Sequence, residues 1–162
     1  GGKGTFYEGG IRVPMIVRWP AVTKPGSTTN EPVISIDFYP TYLDAAGIEE
    51  PQGYHLDGKS LLPLLKDPDR GMNRKALFWH FPGYPNNPWR TTPVSVIRMG
   101  SWKLMKFYET GEIKLYNLEK DRSETHNLAK ERPQIRKKLH RKLEQWLDKN
   151  DAPLPEFPDQ QD

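Results

Sequence analysis

Hydrophobic and polar positions repeat with different periods along the chain, and each change of period marks an element. Pro14 to Pro20 (Pro-Met-Ile-Val-Arg-Trp-Pro) is a short, mostly apolar run bounded by prolines, which predicts a core strand buried on both faces. Residues 21–32 are turn formers and small polar groups and predict a surface loop. Next, Ile36, Tyr39, Leu43 and Ala46 recur at three- and four-residue spacing. They predict a helix capped by Ser35, with Pro40 tolerated in its first turn and Gly47 ending it. Leu61, Leu62, Leu64 and Leu65 predict a second, short helix over Ser60 to Lys66, stopped by Asp67-Pro68-Asp69.

Residues 67–75 read as a boundary, and beyond it the period shortens to that of strands. Ala76 to Phe81 is a strand candidate, followed by a proline- and asparagine-rich loop from Pro82 to Pro88. Val94 to Met99, Trp102 to Tyr108 and Ile113 to Leu118 are three further strand-like runs. The links Gly100-Ser101 and Glu109 to Glu112 suit tight hairpins, so an antiparallel meander is predicted. After Pro133, Ile135, Leu139, Leu143, Trp146 and Leu147 fall on one helical face, with Arg136, Lys137, Lys138, Arg141 and Lys142 opposite. That amphipathic helix is expected to cover the meander. The tail, 151–162, reads as flexible.

Composition narrows the function. The 162 residues suffice for one domain. An opening without methionine, with patterned sequence close behind, reads as a chain entered midway, with no signal peptide in view. With no cysteine, a disulfide framework, a thiolate metal site and a cysteine nucleophile are excluded within these residues. No apolar run is long enough to span a bilayer, and mean hydropathy is -0.80. The 24 basic and 21 acidic residues give a net charge of +3, too near balance to argue for a polyanion. The cluster Lys130, Arg132, Arg136, Lys137, Lys138, Arg141 and Lys142 has no interleaved aromatic residue on which bases could stack, so it reads as a solvated helix face and not as a nucleic-acid surface.

Candidate chemistry concentrates at the start. In Gly1-Gly2-Lys3-Gly4-Thr5 a lysine lies among glycines, where its ammonium can approach a tetrahedral oxyanion without steric hindrance. It is not a P-loop, because Gly4 and not Ser or Thr follows Lys3. On spacing alone the same residues read rather as a frayed, linker-like terminus. Glu8 and Arg12 can pair to brace this loop, and Gly9 and Gly10 let it turn tightly. His80, Tyr84, Trp89 and Arg90 gather around the proline-rich loop in a combination that suits sugar recognition and equally suits loop packing. His55, His126 and His140 share no metal-ligand spacing.

The stretch from Lys3 to Pro20, including Glu8-Gly9-Gly10-Ile11-Arg12-Val13-Pro14, resembles the signature in the C-terminal half of the formylglycine-dependent, alkaline-phosphatase-like sulfatases. Ile36 to Ile48 and Leu56 to Leu65 resemble the family's next helix and following segment. Arg98 to Leu104 and Leu115 to Asp121 resemble its C-terminal hairpins, and Glu124 to Ala129 its lead into the last helix. The likeness runs over residues 2–150.

The resemblance implies an α/β fold, with residues 1–70 ending the large α/β domain and residues 71–150 forming a small antiparallel sheet packed by a C-terminal helix. It implies hydrolysis of aryl or carbohydrate sulfate esters, with Lys3 contacting sulfate oxygens. The partners implied are a sulfate-ester small molecule or sulfated saccharide and the rest of a sulfatase chain. The family's formylglycine comes from a Cys/Ser-x-Pro-x-Arg motif, and its Ca2+ is held by Asp-Asp and Asp-Asn or Asp-His pairs. This sequence contains none of these, so both are expected upstream and these residues alone are expected to be inactive. The resemblance also implies export to the periplasm, the cell exterior or the lysosome, as for most relatives. Two alternatives are a non-catalytic module binding sulfated glycans and a phosphoester hydrolase of the same superfold.

Overall fold

The computed structural model describes residues 1–83 and 91–156. In chain order the elements are α1 (Glu8–Ile11), a 3-10 turn (Ser35–Asp37), α2 (Phe38–Ala46), α3 (Leu62–Lys66), β1 (Leu77–Phe81), β2 (Val94–Met99), β3 (Trp102–Phe107), β4 (Ile113–Asn117) and α4 (Pro133–Lys149). They form two compact units, Met15–Arg74 and a second made of Gly1–Pro14 with Lys75 onward. The first fourteen residues thus belong with the sheet, whereas the sequence alone groups them with residues 15–70.

The sheet is the meander expected from the pattern. Its order is β1-β2-β3-β4, and every pair is antiparallel. Met99 pairs with Trp102, so Gly100 and Ser101 make a two-residue hairpin. Gly100 has φ 58°, the left-handed conformation required of the leading residue in such a turn. One face of the sheet presents Ile97, Leu104 and Leu115 to Leu139, Leu143 and Leu147 of α4, all buried. Phe78 of β1 and Trp146 of α4 stack at 4.9 Å between ring centroids. Each buried leucine contributes roughly 1.5–3 kcal/mol, and the i, i+4 spacing on α4 aligns three of them on the same stripe.

The opposite face presents Val94, Val96, Met105 and Tyr116, and Phe6 and Tyr7 cover it. Both faces are therefore covered, which is why apolar residues fall on both faces of β2 and β3 and do not strictly alternate. Past α4, residues 152–156 have no regular structure, yet Ala152 packs against the α4 core.

In the unit Met15–Arg74, Leu61, Leu64 and Met72 form a small core with Val33, Phe38 and Leu65 against it. Two expectations fail here. Residues 14–20 form no strand, and Ile16 is 94% exposed. A strand buried on both faces needs hydrogen-bonded neighbours and two covering layers, and none of the described residues pairs with this run.

The helix after residue 35 exists, but polar residues share its buried side with Pro40 and Phe38. No side chain caps α2, and Ile36, Tyr39 and Tyr42 are exposed, while Asp37 and Thr41 are buried. Asp37 accepts the backbone N–H groups of Ile34 at 3.0 Å and Lys59 at 2.9 Å and is ion-paired with Arg74. Thr41 Oγ1 accepts the N–H of Leu61 at 2.8 Å. These bonds turn the polar stripe inward, and three-residue periodicity alone does not reveal it.

Candidate active-site loop

Lys3 stands at the corner of a tight turn. The backbone N–H of Thr5 donates to Gly2 O at 3.2 Å, and Thr5 Oγ1 donates to the same carbonyl at 2.8 Å. Gly4 has φ 83°, the left-handed geometry that a type II turn requires at its third residue, so glycine follows lysine for a steric reason. Lys3 occupies the second position, and its side chain is exposed.

Behind the turn lies α1, a single helical turn that the sequence pattern does not announce. Gly9 and Gly10 press against the carbonyls of Gly1 and Thr5 so closely that a β-carbon on either would overlap backbone oxygen. The glycines therefore serve close approach of two backbone segments. The resulting surface is a close-packed shelf under residues 1–5.

Three consecutive side chains fix that shelf to the sheet. The Phe6 ring is tilted against Phe81, and the Tyr7 ring against Tyr116, each at 6.2 Å. Lys114 Nζ donates to the Tyr7 hydroxyl at 3.0 Å. That bond raises the Lys114 pKa, while burial raises that of Tyr116.

Glu8 is buried and pairs with Lys103 of β3 at 3.0 Å. Lys103 is 0% exposed and also pairs with Glu124 at 2.8 Å, and a Glu124 oxygen accepts the backbone N–H of Glu8. Arg12, the partner expected for Glu8, approaches only to 3.8 Å and is about half exposed. The close partner is thus the lysine across the sheet. Glu124 sits at φ 56° in a turn organised by Asp121, whose carboxylate accepts the N–H groups of Thr125 and His126 at 2.9 Å each. Those two bonds, His126 first, lower the Asp121 pKa.

Neither Lys103 nor Glu124 stands out in the sequence. The one available signal is a lysine in the middle of Trp102-Lys103-Leu104-Met105, a run otherwise apolar enough for a central strand.

His80 is engaged at both ring nitrogens: Nδ1 with Ser95 Oγ at 2.7 Å and Nε2 with the Pro153 carbonyl at 2.8 Å. Ser95 Oγ in turn bonds the Tyr108 hydroxyl at 2.8 Å. With Nε2–H donating to the carbonyl, Nδ1 accepts from Ser95. Tyr84, Trp89 and Arg90, grouped with His80 by the sequence, lie outside the described residues. Among the described residues no three His, Asp or Glu side chains come together to hold a metal ion.

The family described as N-sulphoglucosamine sulphohydrolase, C-terminal, matches residues 2–149. The chain belongs to this sulfatase family. A sulfatase of Formosa agariphila is 42% identical over 165 residues, covering 93% of this chain and 30% of its own length. The structure of a protein in complex with its substrate, D-glucosamine-2-N,6-O-disulfate, superposes with TM-score 0.73 at 31% identity, over 91% of this chain and 30% of that one. A phosphonate monoester hydrolase of Silicibacter pomeroyi gives TM-score 0.72 at 26% identity over 92% of this chain. The chain thus spans about a third of the length of the relatives that it matches along most of its own length. Its α/β fold, ending in the antiparallel sheet and α4, is that of the sulfatase and alkaline-phosphatase-like C-terminal region.

Proposed function

We propose that residues 1–162 supply the C-terminal part of an enzyme hydrolysing carbohydrate sulfate esters, with Lys3 as their contribution to the reacting centre. The observation that carries this reading is the placement of Lys3: an exposed ammonium at the corner of a turn held by two hydrogen bonds to one carbonyl and backed by the Gly9-Gly10 shelf. A lysine whose backbone is held in this way can bring its ammonium to sulfate oxygens as the ester oxygen departs, where a positive charge stabilises the transition state. The sulfated-sugar ligand of the superposed protein supports a saccharide substrate over a simple aryl sulfate.

When present, formylglycine supplies the nucleophile and calcium the Lewis acid. Their residues belong to the family's upstream motifs. Lys3 holds the anionic group, and the sheet holds Lys3. Phe6 and Tyr7, by excluding water from the sheet face, keep the loop from detaching.

The whole protein, assayed with a 6-O- or N-sulfated glucosamine and separately with a phosphonate monoester, is expected to release sulfate at a kcat/KM well above that for the phosphonate. A higher kcat/KM for the phosphonate would replace this reading with the phosphoester one. Salt-sensitive binding of sulfated glycan with no release of sulfate would favour a binding module.

A further inference from the structure

Resting on that reading of Lys3, we propose that Lys103 and Glu124 are positioning residues for it, acting through Glu8. The path is continuous. Lys103 holds the Glu8 carboxylate at 3.0 Å and Glu124 at 2.8 Å, and Glu124 accepts the Glu8 backbone N–H. Glu8 opens α1, and α1 presents Gly9 and Gly10 to the carbonyls of Gly1 and Thr5. Those residues flank Lys3 in the turn closed by Thr5 and Gly2. The orientation of α1, and with it the place of the backbone that carries Lys3, is thus set from a strand 95 residues away.

A buried ion cluster is a poor means of stabilising a sheet, because desolvating three charges offsets most of their attraction and apolar side chains of similar size would pack at least as well. Its advantage is direction: the Lys103 hydrogen bond to Glu8 and the Glu8 N–H bond to Glu124 fix an orientation, whereas Phe6 and Tyr7, also packed on this face, fix only proximity. Glu124 additionally adopts φ 56°, a left-handed backbone unfavourable for glutamate, in order to reach Glu8 and Lys103. Loss of the cluster would leave residues 6 and 7 attached and α1 free to tilt. A displacement of about 1 Å at a reacting group costs on the order of a hundredfold in rate.

The test compares Glu124→Ala with Glu124→Gln in the whole enzyme, the glutamine keeping an acceptor for the Glu8 N–H. Hydrogen exchange is followed at residues 2–12 and, as a folding control, at 94–117, alongside kcat and KM for the sulfate ester. The expected result for Glu124→Ala is faster exchange at 2–12 with 94–117 unchanged, and a kcat reduced roughly a hundredfold with KM within about twofold. Glu124→Gln should restore most of both, and combining Glu124→Ala with Lys3→Ala should cost little beyond Lys3→Ala alone.

Unchanged exchange at 2–12 would overturn the proposal. So would lost protection across 94–117, which would make the cluster a plain stability element, or a loss confined to KM. Should the wild-type protein hydrolyse no sulfate ester, the functional reading fails separately, and the exchange data still decide whether the cluster orients α1. If Glu124→Ala does not fold, Lys114→Met serves as the comparison: it removes the Tyr7 bond and leaves the cluster intact, so a kcat loss as large as a hundredfold in that variant would also overturn the proposal.

Discussion

Gly10 lies directly beneath the carbonyl of Thr5, with no room for a side chain, and the Gly2 oxygen would stand 2.7 Å from a β-carbon placed there. Gly10→Ala must therefore push the Lys3 turn off its shelf, since both obstructing atoms are backbone. Overpacking of this kind costs about 1–3 kcal/mol, carried by the loop and not by the sheet. A β-carbon on Gly2 meets nothing within 4 Å, so Gly2→Ala is the matched control. Denaturant titration and turnover measured on both variants check the contrast, which fails if the two behave alike.

Lys3→Ala removes the one charge that the loop carries to the proposed centre. Loss of a single preorganised donor typically lowers turnover 100- to 1000-fold, about 2.7–4 kcal/mol, and that is the expected loss in the whole enzyme. Because Lys3 is exposed, the melting temperature should not move. Unchanged turnover would remove Lys3 from the mechanism.

The sheet and α4 were legible because their periods are carried by residues that meet within the described chain. Leu139, Leu143 and Leu147 find Ile97, Leu104 and Leu115, so pattern and packing agree. Periodicity misled where the apolar residues have no such partners, as at Ile16, or where a polar stripe is the buried one, as at Asp37 and Thr41. The lysine-bearing loop was visible from composition, but its anchorage was not. Pairing of Glu8 with Lys103 is a long-range event, and the nearer Arg12, at the i, i+4 spacing that local rules favour, is the looser partner.

Asp121 gives the Glu124 turn a pH dependence. Its carboxylate is stabilised in the folded state by the N–H groups of His126 and Thr125, so its folded pKa lies below the ordinary 3.8. A lowered pKa contributes stability that is present above the unfolded value and is lost as pH falls through the folded one. The stability difference between wild type and Asp121→Ala should therefore be constant above about pH 5 and shrink as the pH drops below 3.8. Urea titrations at several pH values between about 2 and 6 measure it, and a difference that grows on acidification would contradict the sign.

Asp37 and Arg74 are nearly or wholly buried, and the ion pair joins the start of α2 to the last residue of its unit. Removing the cation alone leaves a carboxylate buried without its counter-charge, which typically costs about 3–5 kcal/mol. The N–H groups of Ile34 and Lys59 still point at Asp37, so Arg74→Met should fall at the lower end of that range. Asp37→Ala should be at least as severe, since it orphans both N–H groups along with the guanidinium. The double variant should then cost clearly less than the two single losses combined, because the second substitution removes a group already left unpaired. Additive losses in a denaturant-based cycle would mean that Asp37 serves the two backbone donors and that Arg74 packs for its hydrocarbon stem alone.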